Sequence, residues 1–472
     1  RARHLRKARR SLGVSTTRTG KRGSTPPKPA GRGRQLNAGA GLPARRIARD
    51  IVWTVLHEQR TLSDELDIER GHALLKNLDE RDRALVRMLT STTFRRYGQI
   101  LDLIGRIYPK GLPERAGHLR ETLYIAIAQL MFMDVPDHAA VDLAMRLVNE
   151  DRRAKRFNAL ANAGLRRIAR EGAAMVAAQD AAKLNTPRQL WQGWVAAYGE
   201  EKTRAIANAH LNEAALDLTV KQDPHAWAET LRADMLSTGS LRLDHKGRVD
   251  TLPGFSEGAW WVQDVAASLP AKLLGDLSGK HVADLCAAPG GKTAQLAAAG
   301  AHVTAVELSQ HRAERLAANL ARLHLKADLV IADALAWQPA APLDAILLDA
   351  PCTATGTLRR HPDAAWTKGA TARSTLVDLQ ARLLRHAAGL LKPGGVLVYC
   401  TCSLEPEEGE QQIGRLLQDE PAMPTDPVSA AEFADLPGFV TPEGWLRTLP
   451  CMLADRQPAG MDGFFAARLI RL

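Results

Sequence analysis

The sequence has few cysteines and no long apolar segment, and both absences narrow the possible classes of protein. Five cysteines in 472 residues are too few for a disulfide framework. This favours a reducing, cytoplasmic compartment, in which a cysteine is a candidate for chemistry. No run of eighteen apolar residues occurs, so we expect neither a transmembrane helix nor a membrane partner. The first residues contain no apolar h-region, and no secretory signal is predicted.

Acidic residues are absent from residues 1–42, which contain twelve Lys and Arg side chains. This segment accounts for the net charge of +11, because the rest of the chain is nearly balanced. Its glycines and prolines and its lack of apolar periodicity predict a basic, disordered tail. Such a tail is suited to contact nucleic acid phosphates, but it also fits a solvated linker or an Arg-rich transit peptide.

The spacing of apolar residues divides the rest of the chain into three parts. Residues 43–175 repeat apolar positions at helical intervals, which predicts an all-helical domain. Residues 176–262 mix helical patterns with short strand-like runs, which predicts a small α+β domain. Residues 263–472 alternate short apolar runs with helical patterns, which predicts an α/β domain with a parallel sheet covered by helices on both faces.

A glycine-containing turn follows the first strand of the α/β part. It consists of Cys286, Ala287, Ala288, Pro289, Gly290, Gly291 and Lys292. Adjacent glycines let a ligand approach the backbone, and the next helix presents free N–H groups. Glu307, Asp333 and Asp349 end the next three strands, at the edge where open α/β sheets bind ligands, although each acid alone also fits a helix cap. The carboxylate of Glu307 can accept hydrogen bonds from ribose hydroxyls, and that of Asp333 can accept a hydrogen bond from an adenine amino group. GxGxxG and P-loop spacings are missing, which disfavours dinucleotides and triphosphates.

Two cysteines follow strands that we expect to be neighbours. Cys352 comes after Asp349 at the end of the fourth strand, and Cys402 comes after the fifth. Such thiols suit covalent catalysis beside the cofactor cleft. With Cys400 they also supply three sulfurs for zinc, but the C-x-C spacing is unusual and no His completes a standard site, so no metal is expected. Spacing alone leaves open which cysteine attacks.

Together these motifs resemble a known family. The stretches CAAPGGKT, DAPC, TCS and RRHPD are similar to those of RNA cytosine-5 methyltransferases, and more narrowly to the ribosomal small-subunit RNA methyltransferase B family. In the helical part, VPDHAAVDLAMRLV (135–148) and FNALANAGLRRI (157–168) resemble NusB. The resemblance implies a NusB-like helical RNA-binding domain at 43–175 and a small α+β RNA-binding domain at 176–262. It also implies a Rossmann-like class I methyltransferase domain at 263–472.

The resemblance further implies a reaction. S-adenosylmethionine would donate a methyl group to C5 of a specific cytosine in small-subunit (16S) rRNA, after a cysteine thiolate has added to C6. The family pattern assigns the attack to Cys402, product release to Cys352 and a contact near N3 of the base to Asp349. Cytosine-5 DNA methyltransferases use the cysteine of their Pro-Cys motif, so Cys352 is a competitor for the attack. A tRNA cytosine-5 methyltransferase and a non-enzymatic NusB-like RNA-binding factor are the alternative functions.

Reaching a thiolate requires the target base to leave its stack, so RNA contacts are expected near the cysteines. Arg359, Arg360 and His361 follow the Cys352 loop and are predicted to hold phosphates or flanking bases. The α/β part is net acidic, whereas the helical part and the tail are basic, and we expect these two to supply most of the electrostatic attraction. The predicted partner is ribosomal RNA, with the protein acting as a monomer.

Overall fold

The computed structural model describes residues 41–472 apart from 246, 434, 435, 437 and 457, and omits the side chains of 370 and 430. The basic tail predicted for residues 1–42 lies outside the described residues except for its last two positions. Within the described residues, no helix combines the length and the apolar character needed to cross a membrane.

The first part of the described chain is helical. The apolar positions that predict helices form its core: Ile47, Ile51 and Val55 of the first helix are buried. The last helix of this part, Arg188–His210, corresponds to two helical patterns in the sequence. Gly199 lies between them and has a positive φ of 81°, which kinks the helix. The helices are α1 Leu42–Glu58, α2 Leu62–Glu65, α3 Glu80–Arg95, α4 Tyr97–Ile107, α5 Leu119–Phe132, α6 Asp137–Glu150, α7 Asn158–Ala177, α8 Ala181–Leu184 and α9 Arg188–His210.

A small antiparallel sheet follows, in the order β2-β3-β1-β4. Its elements are β1 Leu216–Val220, α10 Pro224–Leu231, β2 Asp234–Met235, β3 Leu241–Leu243 and β4 Trp260–Val262. The strands at β1 and β3 agree with the predicted strand-like runs, whereas no strand was predicted at β2 or β4. Trp260 is fully buried, and Arg242 makes two 2.8 Å bonds to the buried carboxylate of Asp217. The sheet therefore has its own apolar and ionic core.

A seven-stranded sheet forms the last part, in the order β10-β11-β9-β8-β5-β6-β7. Strands β5 to β9 are parallel, while β11 and β10 are antiparallel to their neighbours. The strands are β5 His281–Leu285, β6 His302–Glu307, β7 Asp328–Ile331, β8 Leu343–Asp349, β9 Leu391–Thr401, β10 Leu446–Thr448 and β11 Phe464–Ile470. The helices are α11 Val265–Lys272, α12 Gly291–Ala298, α13 Gln310–Arg322, α14 Ala364–Thr367, α15 Ala370–Gly389 and α16 Glu410–Asp419. The carboxyl ends of the parallel strands share one edge.

The helical part contacts the loop that follows Cys352. The amide of Leu62 donates to the carboxylate of Asp363 at 3.0 Å, and Nε1 of Trp366 donates to the carbonyl of Phe94 at 3.1 Å. The guanidinium of Arg95 donates to the carbonyl of Arg359 at 3.0 Å. The helical part thereby holds residues 359–366, the segment in which the predicted RNA-contacting side chains lie.

Candidate active site

One cavity of about 470 Å³ joins the glycine turn to the cysteine loops. Its walls include residues 287–292 from the turn after β5, Asp349 at the end of β8 and Cys402 just after β9. Arg360 and His361 line the same space. The two motif groups, which are far apart in the sequence, therefore face each other across a single cleft at the carboxyl edge of the sheet.

The turn after β5 is held close to its neighbours. Gly290 has a φ of 101° and precedes α12, and a Cβ atom at this position would lie 2.9 Å from Cγ of Leu316. Glycine is needed here both for the positive φ and for the close packing. The helix that follows begins without a side-chain cap, so its first N–H groups stay available to a ligand.

A buried carboxyl group lies directly beneath this turn. Asp284 in β5 is fully buried, and one of its oxygens accepts a 2.6 Å bond from the hydroxyl of Thr293 in α12. Its other oxygen has no partner among the described residues. Burial, reinforced by the charge of Asp349, raises the pKa of Asp284 to about 7. The sequence shows Asp284 only as part of the motif and carries no sign of this raised pKa.

Three predicted cofactor ligands, Cys286, Glu307 and Asp333, lie outside the walls of the main cavity. Glu307 is buried behind the turn, and its oxygens accept the amides of Ala288 at 3.2 Å and Ser309 at 3.0 Å. A carboxylate has about four acceptor positions, so these bonds leave room for ribose hydroxyls. Asp333 is exposed after β7, and its carboxylate accepts the amide of Leu335 at 2.9 Å. Their roles as ribose and adenine ligands stay predictions.

A partly buried ion pair lies in the wall of the cavity. Nζ of Lys292 lies 2.7 Å from Oδ2 of Asp349 and 4.9 Å from the ring centre of Phe464. Burial opposes the ammonium charge, but the Asp349 carboxylate outweighs it and raises the pKa of Lys292 above its ordinary value. The pair holds one carboxylate oxygen of Asp349, and the other oxygen lies 3.6 Å from Sγ of Cys400. The sequence assigns Lys292 to the cofactor only, and misses this contact.

The two loop cysteines lie side by side. Sγ of Cys352 is 3.4 Å from Sγ of Cys402, and Cys402 faces the main cavity. The hydrogen bond with Cys402, together with burial, raises the pKa of Cys352 well above its ordinary value. Cys400 is fully buried, with Sγ 3.6 Å from Oδ1 of Asp349. Of the two loop cysteines, Cys402 lines the main cavity and Cys352 does not.

A buried polar network supports the cysteine loops from behind. The amide of Thr353 donates to Glu408 at 3.0 Å, and the hydroxyl of Ser403 donates to Glu405 at 2.7 Å. Nε1 of Trp194 in α9 donates to the same Glu405 at 3.1 Å. The network joins the residues next to Cys352 and Cys402, and so fixes the relative position of the two thiols. Sequence reasoning missed it, although two glutamates soon after TCS were a usable signal.

The RRH segment divides in a way that the sequence did not predict. Arg359 is only 1% exposed, and its guanidinium faces Asp264 at 3.3 Å and Asp462 at 3.6 Å. The solvent-facing phosphate contact predicted for Arg359 therefore has no basis in this geometry, since two buried carboxylates hold the side chain inside. Arg360 is exposed and pairs with Asp462, and both Arg360 and His361 line the cavity. Burial, aided by Arg360, lowers the pKa of His361 to about 4.

Comparisons with known proteins identify the family of this chain. A family model described as 16S rRNA methyltransferase RsmB/F matches residues 271–470, and the NusB family model matches residues 42–170. A relative from Xylella fastidiosa, named ribosomal RNA small subunit methyltransferase B, is 35% identical over 452 residues, covering 91% of this chain and 98% of its own. This chain belongs to the ribosomal RNA small subunit methyltransferase B family. Membership confirms the predicted family, the fold class and the methyl donor, S-adenosylmethionine.

Other relatives and structures extend the comparison. A relative of the same name from Cronobacter sakazakii is 31% identical over 448 residues, covering 90% of this chain and 98% of its own. The crystal structure of PH0851 superposes with a TM-score of 0.71 at 23% identity, covering 91% of this chain and 99% of the other. NSun6 from Pyrococcus horikoshii, solved with SFG, covers 60% of this chain and 98% of its own at 18% identity, with a TM-score of 0.52. These structural matches support the fold.

Proposed function

We propose that this protein methylates C5 of a specific cytosine in 16S rRNA through a covalent bond between a cysteine and C6. The observation that carries the proposal is the pair of thiols 3.4 Å apart, of which Cys402 lines, together with Asp349, the cavity that the glycine turn forms. C5 of cytosine is a poor nucleophile, and thiolate addition at C6 makes it enamine-like and able to take a methyl group. Covalent catalysis of this kind divides one difficult step into easier ones.

The cavity suits S-adenosylmethionine beside the target base. Residues 286–292 would hold the donor at the turn, with Asp349 at its far side and Glu307 and Asp333 toward the ribose and adenine. The cradle at Gly290, too tight for a Cβ atom, and the uncapped start of α12 support this assignment. When bound, the donor supplies an electrophilic methyl group.

In the proposed mechanism, Cys402 attacks and Cys352 serves product release. Cys402 lines the main cavity, and the sulfur of Cys352 lies 3.4 Å from the sulfur of Cys402. After methyl transfer, a general base takes the C5 proton, the electrons of that C–H bond re-form the C5–C6 double bond, and the C6–S bond breaks to release Cys402 as a thiolate. The position of Cys402 in the main cavity supports this division of labour.

Asp349 is proposed to hold the cytosine near N3. Its ion pair with Lys292 keeps the carboxylate oriented, and its side chain remains 30% exposed toward the cavity. A carboxylate near N3 favours addition at C6 by stabilising a proton on N3, so that the ring can take up the electron pair that the thiolate brings. Lys292, fixed at 2.7 Å, positions Asp349 and is itself near enough to the cavity to contact donor or base.

On the RNA side, Arg360 and His361 are proposed to contact the nucleotides around the target, with the basic tail and the helical domain adding electrostatic attraction. The predicted domain boundaries at 42, 175 and 262 remain part of this proposal, and an rRNA substrate accords with a cytoplasmic location. Bisulfite mapping of total RNA from cells with and without the gene tests the substrate. Loss of one 5-methylcytosine in 16S rRNA supports the proposal, whereas loss in tRNA favours the tRNA-modifying alternative.

A further inference from the structure

A second pocket lies on the other side of the Cys352 loop from the main cavity. It has a volume of about 310 Å³, and Thr353 and Thr355 form part of its lining, whereas Ala354 and Thr357 line the main cavity. Alternate residues of one loop thus face two different spaces. A strand of RNA that delivers a base to Cys402 must continue past this loop, so the second pocket is placed to receive a neighbouring nucleotide.

The second pocket is basic. Arg188 at the start of α9, and Lys368 and Arg373 at the start of α15, all line it. In the part of the chain that the structure describes, no carboxylate lies within ion-pairing distance of these three side chains. Nζ of Lys368 donates to the carbonyl of Cys352 at 3.0 Å, which ties one of the cations to the catalytic loop. Three unpaired cations around one concave space are the electrostatic pattern of a phosphate site.

The backbone adds to this field. Pro187 precedes α9 and Gly369 precedes α15, and both residues line the pocket. Neither helix has a side-chain cap or an acidic residue in its first turn. The free N–H groups and the positive dipole ends of two long helices therefore point toward the same volume, an arrangement that favours an anion.

An aromatic ring and one acid complete the lining. Trp366 lines the pocket with Nε1 anchored to the carbonyl of Phe94, and such a fixed indole suits stacking on a base. Glu405 is 3% exposed, and its two oxygens accept bonds from Trp194 and Ser403. It also accepts bonds from the hydroxyls of Thr353 and Thr355, and among the described residues no ion pair joins it to the three cations.

We propose that this basic pocket binds a backbone phosphate of the substrate RNA next to the target cytidine, with Trp366 stacking on the attached base. The proposal rests on the proposed function, because it takes the substrate to be an RNA strand that reaches Cys402. It assigns to Arg188 and Arg373 a role in holding the strand rather than in the chemistry.

The test compares Arg188→Gln/Arg373→Gln with the matched control Lys202→Gln/Arg382→Gln, which removes two exposed charges from the same two helices. Binding is measured by fluorescence anisotropy, with the shortest 16S rRNA fragment that the wild type binds. We expect about tenfold weaker binding for the pocket variant alone, with a salt dependence reduced by about one phosphate contact. Calorimetry should give unchanged S-adenosylmethionine binding in both variants. Equal RNA affinity in the two variants would overturn the proposal.

A phosphate scan identifies the contact. Each phosphodiester of the fragment is replaced in turn by a neutral methylphosphonate. At one position beside the target, the replacement should weaken RNA binding by the wild type but cause no further loss of affinity in the pocket variant. Equal losses in both proteins, or binding of inorganic phosphate to the pocket with no effect on RNA, would refute the proposal. These readouts are binding measurements, so absence of 5-methylcytosine in the wild-type product would count against the proposed function and not against the pocket.

Discussion

Replacing Asp284 by Asn is expected to change how stability depends on pH. The folded pKa of about 7 lies above the ordinary value of 3.8, so between these pH values the folded state binds more protons than the unfolded state. The contribution of Asp284 to the free energy of unfolding therefore falls as pH rises from about 4 to about 7. At 1.36 kcal/mol per pH unit, the interval corresponds to about 4 kcal/mol. Asn cannot ionise, and its carbonyl still accepts the hydroxyl of Thr293.

Urea unfolding at a series of pH values measures the difference. The free energy of unfolding of the Asp284→Asn variant, relative to that of the wild type, should increase steadily from about pH 4 to pH 7. Above pH 7 the difference should stay constant. The exposed Asp378→Asn change is the control and should show no such trend. A difference between Asp284→Asn and wild type that stays constant with pH would refute the reasoning, because it would mean that Asp284 is ionised in the folded protein throughout.

Two further changes test the donor site and the tail. Glu307→Ala should weaken S-adenosylmethionine binding by about 1–3 kcal/mol, since partners of a buried carboxylate lose their acceptor, and unchanged affinity in calorimetry would remove Glu307 from the site. Deleting residues 1–42 should leave donor binding intact and flatten the salt dependence of RNA affinity if the basic side chains meet phosphates. Identical salt slopes for the full and shortened chains would show that the tail is only a linker.

The strands and the turn were predictable because their signals are local. Buried parallel strands appear as short apolar runs, and the acids that end them mark the functional edge of the sheet. Period, strand ends and glycine position were therefore enough to place the glycine turn and both cysteine loops at one edge of the sheet.

Interactions between distant segments were not predictable. Arg359 is inside because Asp264 and Asp462, remote in the sequence, converge on it. The basic pocket likewise depends on Arg188 meeting Arg373 through the packing of the helical part on the α/β part. No periodicity or motif in the sequence predicts these long-range contacts, since each residue taken alone resembles an ordinary surface charge.

The central claim is tested most directly by trapping the protein on its RNA. Wild type, Cys402→Ala and Cys352→Ala are incubated with S-adenosylmethionine and a 16S rRNA fragment, and covalent complexes are resolved on a denaturing gel. Cys402→Ala should form no complex and no 5-methylcytosine, because the attacking sulfur is gone. Cys352→Ala should attack, methylate and then stall, giving a slowly migrating protein–RNA species. A stalled complex in Cys402→Ala and none in Cys352→Ala would reverse the roles and contradict the account.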